Sequence, residues 1–264
     1  MLHLILGRAG SGKTLRVRSL LAEQACVGAD GLVLLVPEQY SFESERAMLR
    51  LTGPQNAARV EVLSFTRLTA QLFKEYGGIA GERIDDAGRI AAMGRALSSL
   101  ADQLVVYRRF ANSTEFTLSA LEAVRELKLC AIPPRQLMEA SAKAGQPDLQ
   151  AKGRELALIA MAYDAQVARH CVNSEDDLTR LCDLLEEHHH FTGKTVVLDS
   201  FKGFTGQQKK VLEHIIAQAK EVFITLCTDS LEEKEGGLGL FSNIKATARQ
   251  LIDMARRHGV KVAA

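Results

Sequence analysis

Two hydrophobic patterns alternate along the first 76 residues. Short apolar runs at 2–6, 32–36 and 60–63 are typical of buried strands. Segments 13–26, 42–51 and 66–76 instead repeat their apolar residues every three or four positions, which is typical of amphipathic helices. This alternation predicts a parallel sheet with helical crossovers.

The pattern changes near Gly77, Gly78 and Gly81. From residue 85 to about 190 only helical periodicity is found, interrupted by turn signals such as 132–134 and 145–147. Apolar stripes predict core-facing sides of these helices, for example Phe116, Ala120, Val124 and Leu127, or Leu178, Leu181 and Leu185. We therefore predict an inserted helical subdomain at 84–192.

The strand and helix alternation returns after Gly193. Strands are predicted at 195–198 and 222–226, a capping box at 205–208 begins one helix, and a second helix covers 244–258. Residues 1–83 and 193–264 are therefore expected to form one discontinuous α/β domain. The final residues, 260–263, have the pattern of a strand that is just beginning, and we expect the chain to be part of a longer protein.

Composition and charge are those of a soluble globular protein, with 47% hydrophobic residues, 25% charged residues and a net charge of +1. A net charge near zero gives the protein no overall positive field to attract nucleic acid, although a local basic groove is compatible with a neutral total. No apolar run is long enough to span a bilayer, and no secretory leader is recognised, so a cytoplasmic protein without membrane association is expected.

Cysteine and histidine spacing does not indicate a metal site. The five cysteines contain no C-x-x-C pair, which favours reduced, mostly buried thiols. His188, His189 and His190 are adjacent, so they cannot all face one ion on a helix, and a solvated helix end is the favoured interpretation.

The most informative motif is GRAGSGKT at residues 7–14, which matches the phosphate-binding loop pattern G-x-x-x-x-G-K-S/T between a predicted strand and a predicted helix. Its glycines allow the backbone to wrap closely around phosphate oxygens. We expect Lys13 to bridge the β- and γ-phosphates of ATP and Thr14 to bind Mg²⁺ through its hydroxyl. The predicted nucleotide contacts are Gly7, Arg8, Ala9, Gly10, Ser11, Gly12, Lys13 and Thr14. The fold class expected is a P-loop NTPase (RecA-like) α/β sheet with a helical insertion.

A second acidic strand end should accompany such a loop. The best match is the strand 195–198 followed by Asp199 and Ser200, where Asp199 would complete the magnesium shell and act with Lys13 in catalysis. Ser200 occupies the position where a catalytic Glu is expected, and a hydroxyl is not a base near neutral pH, so hydrolysis should be slow. Asp229, Glu38 and Gln39 also follow predicted strands, and for each a role in a turn is an open alternative to contact with phosphate, substrate or DNA.

Together these segments resemble superfamily-one DNA helicases. Residues 4–14 resemble their phosphate-loop motif, and residues 34–39 resemble their single-strand contact loop. Residues 64–67 resemble their T-F-H-S element. Residues 199–203 resemble their D-E-F-Q-D segment, with Gln208 at the offset of a helicase glutamine. The resemblance implies that Gln208 contacts nucleotide. Departures are Ser200 for Glu, Gly203 for the second Asp, and 228–232 for a later G-D-x-x-Q.

Within that superfamily, GRAGSGKT, VPEQ and LSFTRL look like the AddB (RexB) family of bacterial ATP-dependent helicase–nuclease subunits. The resemblance implies pairing with an AddA-type subunit, contact with single- and double-stranded DNA, and a role in recombinational repair of double-strand breaks. It also implies an iron–sulfur cluster and a nuclease domain, both in a C-terminal part absent from these residues. Arg67, Lys74, Arg108 and Arg109 are candidate DNA contacts, although single basic residues are more often solvated surface.

Three other functions stay open. The chain could be an active superfamily-one helicase or stand-alone ATPase in which another carboxylate replaces the missing Glu. It could be a small-molecule kinase, although the 85–190 insertion is large for one. It could also be a scaffold with a vestigial site.

Overall fold

The computed structural model describes residues 1–78, 81–169, 171–232 and 239–264. The strands of these residues are β1 (Leu2–Gly7), β2 (Leu32–Leu35), β3 (Val60–Leu63), β4 (Glu82–Arg83), β5 (Cys171–Val172), β6 (Thr195–Leu198), β7 (Glu221–Cys227) and β8 (Val262–Ala263). The helices are α1 (Lys13–Cys26), α2 (Ser41–Thr52), α3 (Phe65–Tyr76), α4 (Asp86–Ser99), α5 (Thr114–Leu129), α6 (Pro134–Ala142), α7 (Pro147–Val167), α8 (Asp177–His188), α9 (Gly206–Gln218) and α10 (Ser242–Arg257). Within the described ranges, no helix is both long enough and apolar enough to cross a membrane.

The chain forms two compact units, and the first comprises residues 1–76, 180–204 and 208–264. Its six strands pair in the order β3-β2-β6-β7-β1-β8, and every neighbouring pair is parallel. All four residues of β2 and all four of β6 are buried, as expected for central parallel strands covered on both faces. The α/β class predicted from the sequence is therefore confirmed, and β8 adds the final strand to the edge beside β1.

The strand order determines where side chains of this unit meet. Because all strands are parallel, their carboxyl ends lie along one edge of the sheet, where α/β proteins bind ligands. Strand β7 separates β1, which ends at the phosphate-loop motif, from β6, which ends before Asp199. Helix α1 is held under the loop by fully buried Val17 and Leu21.

The second unit comprises residues 77–179 and 205–207. Its core includes Met93 and Leu97 of α4 together with Ile159 and Tyr163 of α7, and the predicted stripe of α5 is buried or packed against it. The expectation of helices alone is wrong, because β5 pairs in parallel with β4. Two-residue strands carry no recognisable periodicity, which explains why the sequence pattern missed this pair. The main segment of this unit runs from residue 77 to residue 179, whereas the insertion was predicted at 84–192.

Two expectations about reactive side chains need correction. Cys26 and Cys130 are exposed and the other three cysteines are half-buried, so the thiols are not mostly buried. The expected solvated helix end is found for His188 and His189, which are exposed, but not for His190. The side chain of His190 is 6% exposed and contacts the Tyr76 hydroxyl and Lys194 Nζ at 3.0 and 2.7 Å. Burial together with Lys194 lowers the pKa of His190.

Candidate nucleotide-binding site

The loop between β1 and α1 has a backbone that only its glycines make easily. Gly10 and Gly12 have φ values of 77° and 87°, in the left-handed region that other residues avoid. A Cβ added to Gly7 would lie 2.3 Å from Ser11 Oγ and 3.2 Å from Ser11 Cβ, so a side chain here would force Ser11 to move. The motif glycines are therefore explained by backbone conformation and close packing.

The beginning of α1 is open to a ligand. Gly12 is its N-cap residue and no side chain caps the first turn in this part of the structure. Uncapped N–H groups at a helix start, together with the helix dipole, favour an anion. Residues 8–12 are exposed and Thr14 is half-buried, so the loop is accessible from solvent.

Lys13 folds back over this loop. Its Nζ donates to the carbonyl oxygens of Gly7 and Arg8 at 2.7 and 2.8 Å. An ammonium group held by two neutral carbonyls gains a stronger acceptor when a phosphate oxygen replaces one of them. The arrangement therefore places the lysine charge where a bound polyphosphate would compete for it.

Asp199 is joined to the loop directly. Thr14 Oγ1 donates to Asp199 Oδ1 at 3.2 Å, and the aspartate is only 1% exposed. Thr225, in the middle strand β7, donates to the same oxygen at 2.7 Å. Thr225 was not identified from the sequence, although it is the one polar residue among the apolar positions 222–226. A buried carboxylate is stabilised by these two donors.

The hydroxyl and carboxylate fit a magnesium site. Mg²⁺ prefers oxygen ligands and commonly uses one or two protein oxygens together with phosphates and water. Among the described residues, no group of three His, Cys, Asp or Glu side chains could hold a metal by itself. A site at Thr14 and Asp199 would therefore depend on phosphate oxygens as well.

Ser200 follows Asp199 in a constrained position. Its φ is 68°, unusual for a residue other than glycine, and its hydroxyl donates to Asp199 Oδ2 at 3.1 Å. This geometry directs the Ser200 hydroxyl to the carboxylate beside it. A hydroxyl in that contact cannot remove a proton from water near neutral pH.

Arg8 connects the loop to the end of β7. Its guanidinium lies 3.2 Å from Asp229 Oδ2, and Lys245 Nζ lies 3.8 Å from the other oxygen of this carboxylate. The hydrogen bond from Arg8, supported by the charge of Lys245, lowers the pKa of Asp229. The sequence identified Arg8 and Asp229 separately, and the sheet order brings them together.

A cavity of about 380 Å³, here called the strand-end cavity, lies beyond the carboxyl ends of β2, β3 and β6. Glu38 and Gln39 line it from a short 3-10 turn, and Gln208 lines it from α9. Gln208 thus faces the same cavity as Ser200. Other lining residues include Ser64, Phe65, Thr66, Phe201 and Lys202.

The basic residues suggested as DNA contacts differ in their surroundings. Arg67 is exposed and forms an ion pair with Glu45. Lys74 is exposed on α3. In the helical unit, Arg108 is exposed and the guanidinium of Arg109 lies 4.6 Å from the centre of the Phe110 ring.

Comparison with known proteins gives one consistent result. The family described as "ADDB, N-terminal" matches residues 4–264. The B subunit of an ATP-dependent helicase/deoxyribonuclease from Clostridium tetani is 31% identical over 266 residues, covering 98% of this chain. The corresponding B subunits from Caldanaerobacter subterraneus and Desulforudis audaxviator are 32% and 33% identical, each over 99% of this chain. The chain spans 23% of the length of each of these relatives.

Proposed function

Because the chain belongs to the family of ADDB N-terminal domains, we propose that it is the nucleotide-binding, helicase-like module of the B subunit of an ATP-dependent DNA helicase–nuclease. The observation that carries this proposal is the hydrogen bond between Thr14 of the GRAGSGKT loop and Asp199. It joins the two motifs that an ATP and magnesium site requires.

ATP binding would use the loop as it is arranged. The uncapped N–H groups at the start of α1 would receive phosphate oxygens, and Lys13 would exchange a loop carbonyl for an oxygen of the β- or γ-phosphate. Thr14 and Asp199 would hold Mg²⁺, which neutralises phosphate charge when bound. Both protein oxygens lie within hydrogen-bond distance of each other, so one ion could contact both.

Hydrolysis would be slow for a local reason. Phosphoryl transfer to water needs a group that positions or deprotonates the water. Ser200 stands after Asp199 where that group is expected, and its hydroxyl is bonded to Asp199. The module would therefore respond to bound nucleotide more than it would consume it.

The strand-end cavity would contact single-stranded DNA. Phe201 lines this cavity, and its ring centroid lies 5.6 Å from that of buried Phe65 and 5.0 Å from that of Phe204. Aromatic faces stack bases, and Lys202 adds a positive charge for the backbone. Phe201→Ala should weaken binding of a labelled oligonucleotide, measured by fluorescence anisotropy, whereas Phe42→Ala, in a 70% exposed position on α2, should not.

The assembly is inferred from the family to which the chain belongs. We place the chain in a heterodimer with an AddA-type helicase–nuclease subunit that acts in the cytoplasm on single- and double-stranded DNA during double-strand break repair by homologous recombination. The iron–sulfur cluster and the nuclease residues would lie in the C-terminal part of the full-length protein.

A second candidate function has one observation in its favour. An active ATPase would need a carboxylate to act as general base, and position 200 is a serine. Glu38 supplies a carboxylate that lines the same cavity as Ser200. If Glu38 supplies the base, Glu38→Gln should lower ATP turnover strongly, whereas Glu43→Gln on the exposed side of α2 should leave it unchanged.

Calorimetric titration with Mg-ATP tests the main proposal. Lys13→Ala should weaken binding by about tenfold to hundredfold, the range expected for a lost charge-assisted hydrogen bond. Lys74→Ala, an exposed lysine on α3, is the matched control and should bind as the unchanged protein does. Absence of ATP binding in the unchanged protein would contradict the proposal and favour a vestigial site.

A further inference from the structure

A second cavity, of about 550 Å³, lies beside the phosphate loop and is here called the loop cavity. Its first side is the loop and the first turns of α1, including Leu15 and Arg18. Its other side is a stripe of α2 formed by Ala47, Arg50 and Leu51. These positions are spaced i, i+3 and i+4, so they occupy one face of that helix. The volume is within the range typical of small-molecule sites.

The position of the loop cavity suits the rest of a nucleotide. A phosphate chain bound at the loop ends near the first turn of α1, where Thr14 begins to follow the helix. The ribose and base, which are attached to the α-phosphate, must then lie beside that turn or extend into water. The loop cavity is continuous from Gly10–Thr14 to Leu15 and Arg18, so it offers a covered place for them.

The side chains of the loop cavity have the chemistry of a base-stacking site. Leu15 and Leu51 are 64% and 41% exposed, so a large part of each apolar side chain is not covered by other parts of the protein. Arg18 donates from Nη2 to Ser44 Oγ at 3.1 Å, whereas its buried Nε has no hydrogen-bond partner among the described residues. Guanidinium planes and apolar side chains both pack well on the flat face of a nucleobase.

We propose that the loop cavity is the nucleobase subsite of the ATP site, with the base between Leu15 and Arg18 of α1 and Arg50 and Leu51 of α2. The inference rests on the proposed nucleotide binding and adds the part of the site that recognises the nucleoside. Among the described lining residues, no carboxylate or amide side chain could accept a hydrogen bond from the exocyclic amine of adenine. The four side chains named here would therefore hold the base by stacking on its face.

The test compares two ligands that share phosphates but differ in the base. Binding of Mg-ATP and of Mg-tripolyphosphate is measured by calorimetry for the double variant Arg50→Gln/Leu51→Ser. The matched control is Arg46→Gln/Leu49→Ser, which makes the same chemical and charge changes on the same helix outside the loop cavity. The double variant should weaken ATP about fivefold or more relative to the control, the size expected for lost stacking. Its tripolyphosphate affinity should equal that of the control, which also verifies that the loop is folded.

Each other outcome has a defined meaning. Equal ATP affinity in the two double variants, or parallel loss of ATP and tripolyphosphate in the first, would overturn the subsite. Leu15→Ser provides the same comparison from α1. If the unchanged protein bound tripolyphosphate as tightly as ATP, the base subsite would fail while the phosphate site stood. If it bound neither ligand, the proposed function itself would fail.

Discussion

Thr14 Oγ1 donates to Asp199 Oδ1 at 3.2 Å across a sequence separation of 185 residues. Thr225 donates to the same carboxylate oxygen from β7, the strand between β1, which precedes the loop of Thr14, and β6, which ends before Asp199. The fold therefore brings together the two oxygen groups expected to hold Mg²⁺, and Thr225 fixes the position of the carboxylate.

Thr14→Val should remove the magnesium-dependent part of ATP affinity. Valine keeps the shape of threonine but has no oxygen ligand, so binding should weaken about tenfold in Mg²⁺ and hardly change in EDTA. Calorimetry under both conditions measures the difference. Thr247→Val on α10 is a control, and an equal loss in EDTA would show that Thr14 acts in some other way.

Thr225→Val should destabilise the α/β unit. The substitution leaves the buried Asp199 carboxylate without its 2.7 Å donor, which should lower the free energy of unfolding by about 2 kcal/mol. Urea unfolding gives this value. Thr225→Ser retains the hydroxyl and should recover most of the loss; an unaltered midpoint in the valine variant would argue against the assigned role.

Features that depend on short contiguous patterns of residues were predictable from the sequence. The loop motif and the strand before Asp199 could be identified because each is contiguous, and the alternation of strand and helix predicted the parallel sheet. Thr225 was missed because a single threonine in an apolar strand has no special signature until the strand order places it beside Asp199. The Arg8 and Asp229 pair likewise depends on β7 pairing with β1.

In the helical unit, packing was predictable from apolar stripes, but polar contacts were not. Glu155 is 5% exposed, and its carboxylate accepts the backbone N–H groups of Val105, Val106 and Tyr107 at 2.7–3.0 Å. Nothing local in the sequence links residue 155 to a segment almost 50 positions earlier. Burial alone would raise the pKa of Glu155, but the three N–H donors together lower it.

Glu155→Ala should lower the free energy of unfolding of the helical unit by about 2 kcal/mol or more at pH 7, because three N–H groups lose a charged acceptor. A folded pKa below the unfolded value means that this stabilisation is fully present above the unfolded pKa of about 4.3 and is lost as pH falls through the folded value. Urea unfolding at pH 7 and below pH 4 measures the effect. Glu122→Ala, an exposed position, is the control; a variant difference that grows on acidification would contradict the assignment.

Asp229→Asn should strengthen ATP binding about threefold, because it removes a negative charge near the phosphates and releases Arg8. The lowered pKa keeps Asp229 ionised below the usual range, so the ratio of affinities should stay constant between pH 8 and pH 5. Asp253→Asn, at another exposed aspartate paired with arginine, should have no effect. Weaker ATP binding in Asp229→Asn would instead indicate that the pair holds the loop in its binding conformation.

Ser200→Glu should raise ATP turnover by about tenfold or more, since a positioned general base contributes at least that much. The φ of 68° is no more difficult for glutamate than for serine, so the backbone can be retained. Ser200→Gln has the same length but no base and serves as the control. A glutamate variant no faster than the glutamine variant would show that more than the base is missing.

The central claim is tested most directly by ATP turnover in the presence of single-stranded DNA. Turnover is measured for the unchanged protein and for Lys13→Ala, at a concentration of Mg-ATP that saturates the unchanged protein. A nucleotide-responsive module predicts that the unchanged protein binds ATP yet turns it over no faster than Lys13→Ala. Rapid turnover that Lys13→Ala abolishes would contradict this account.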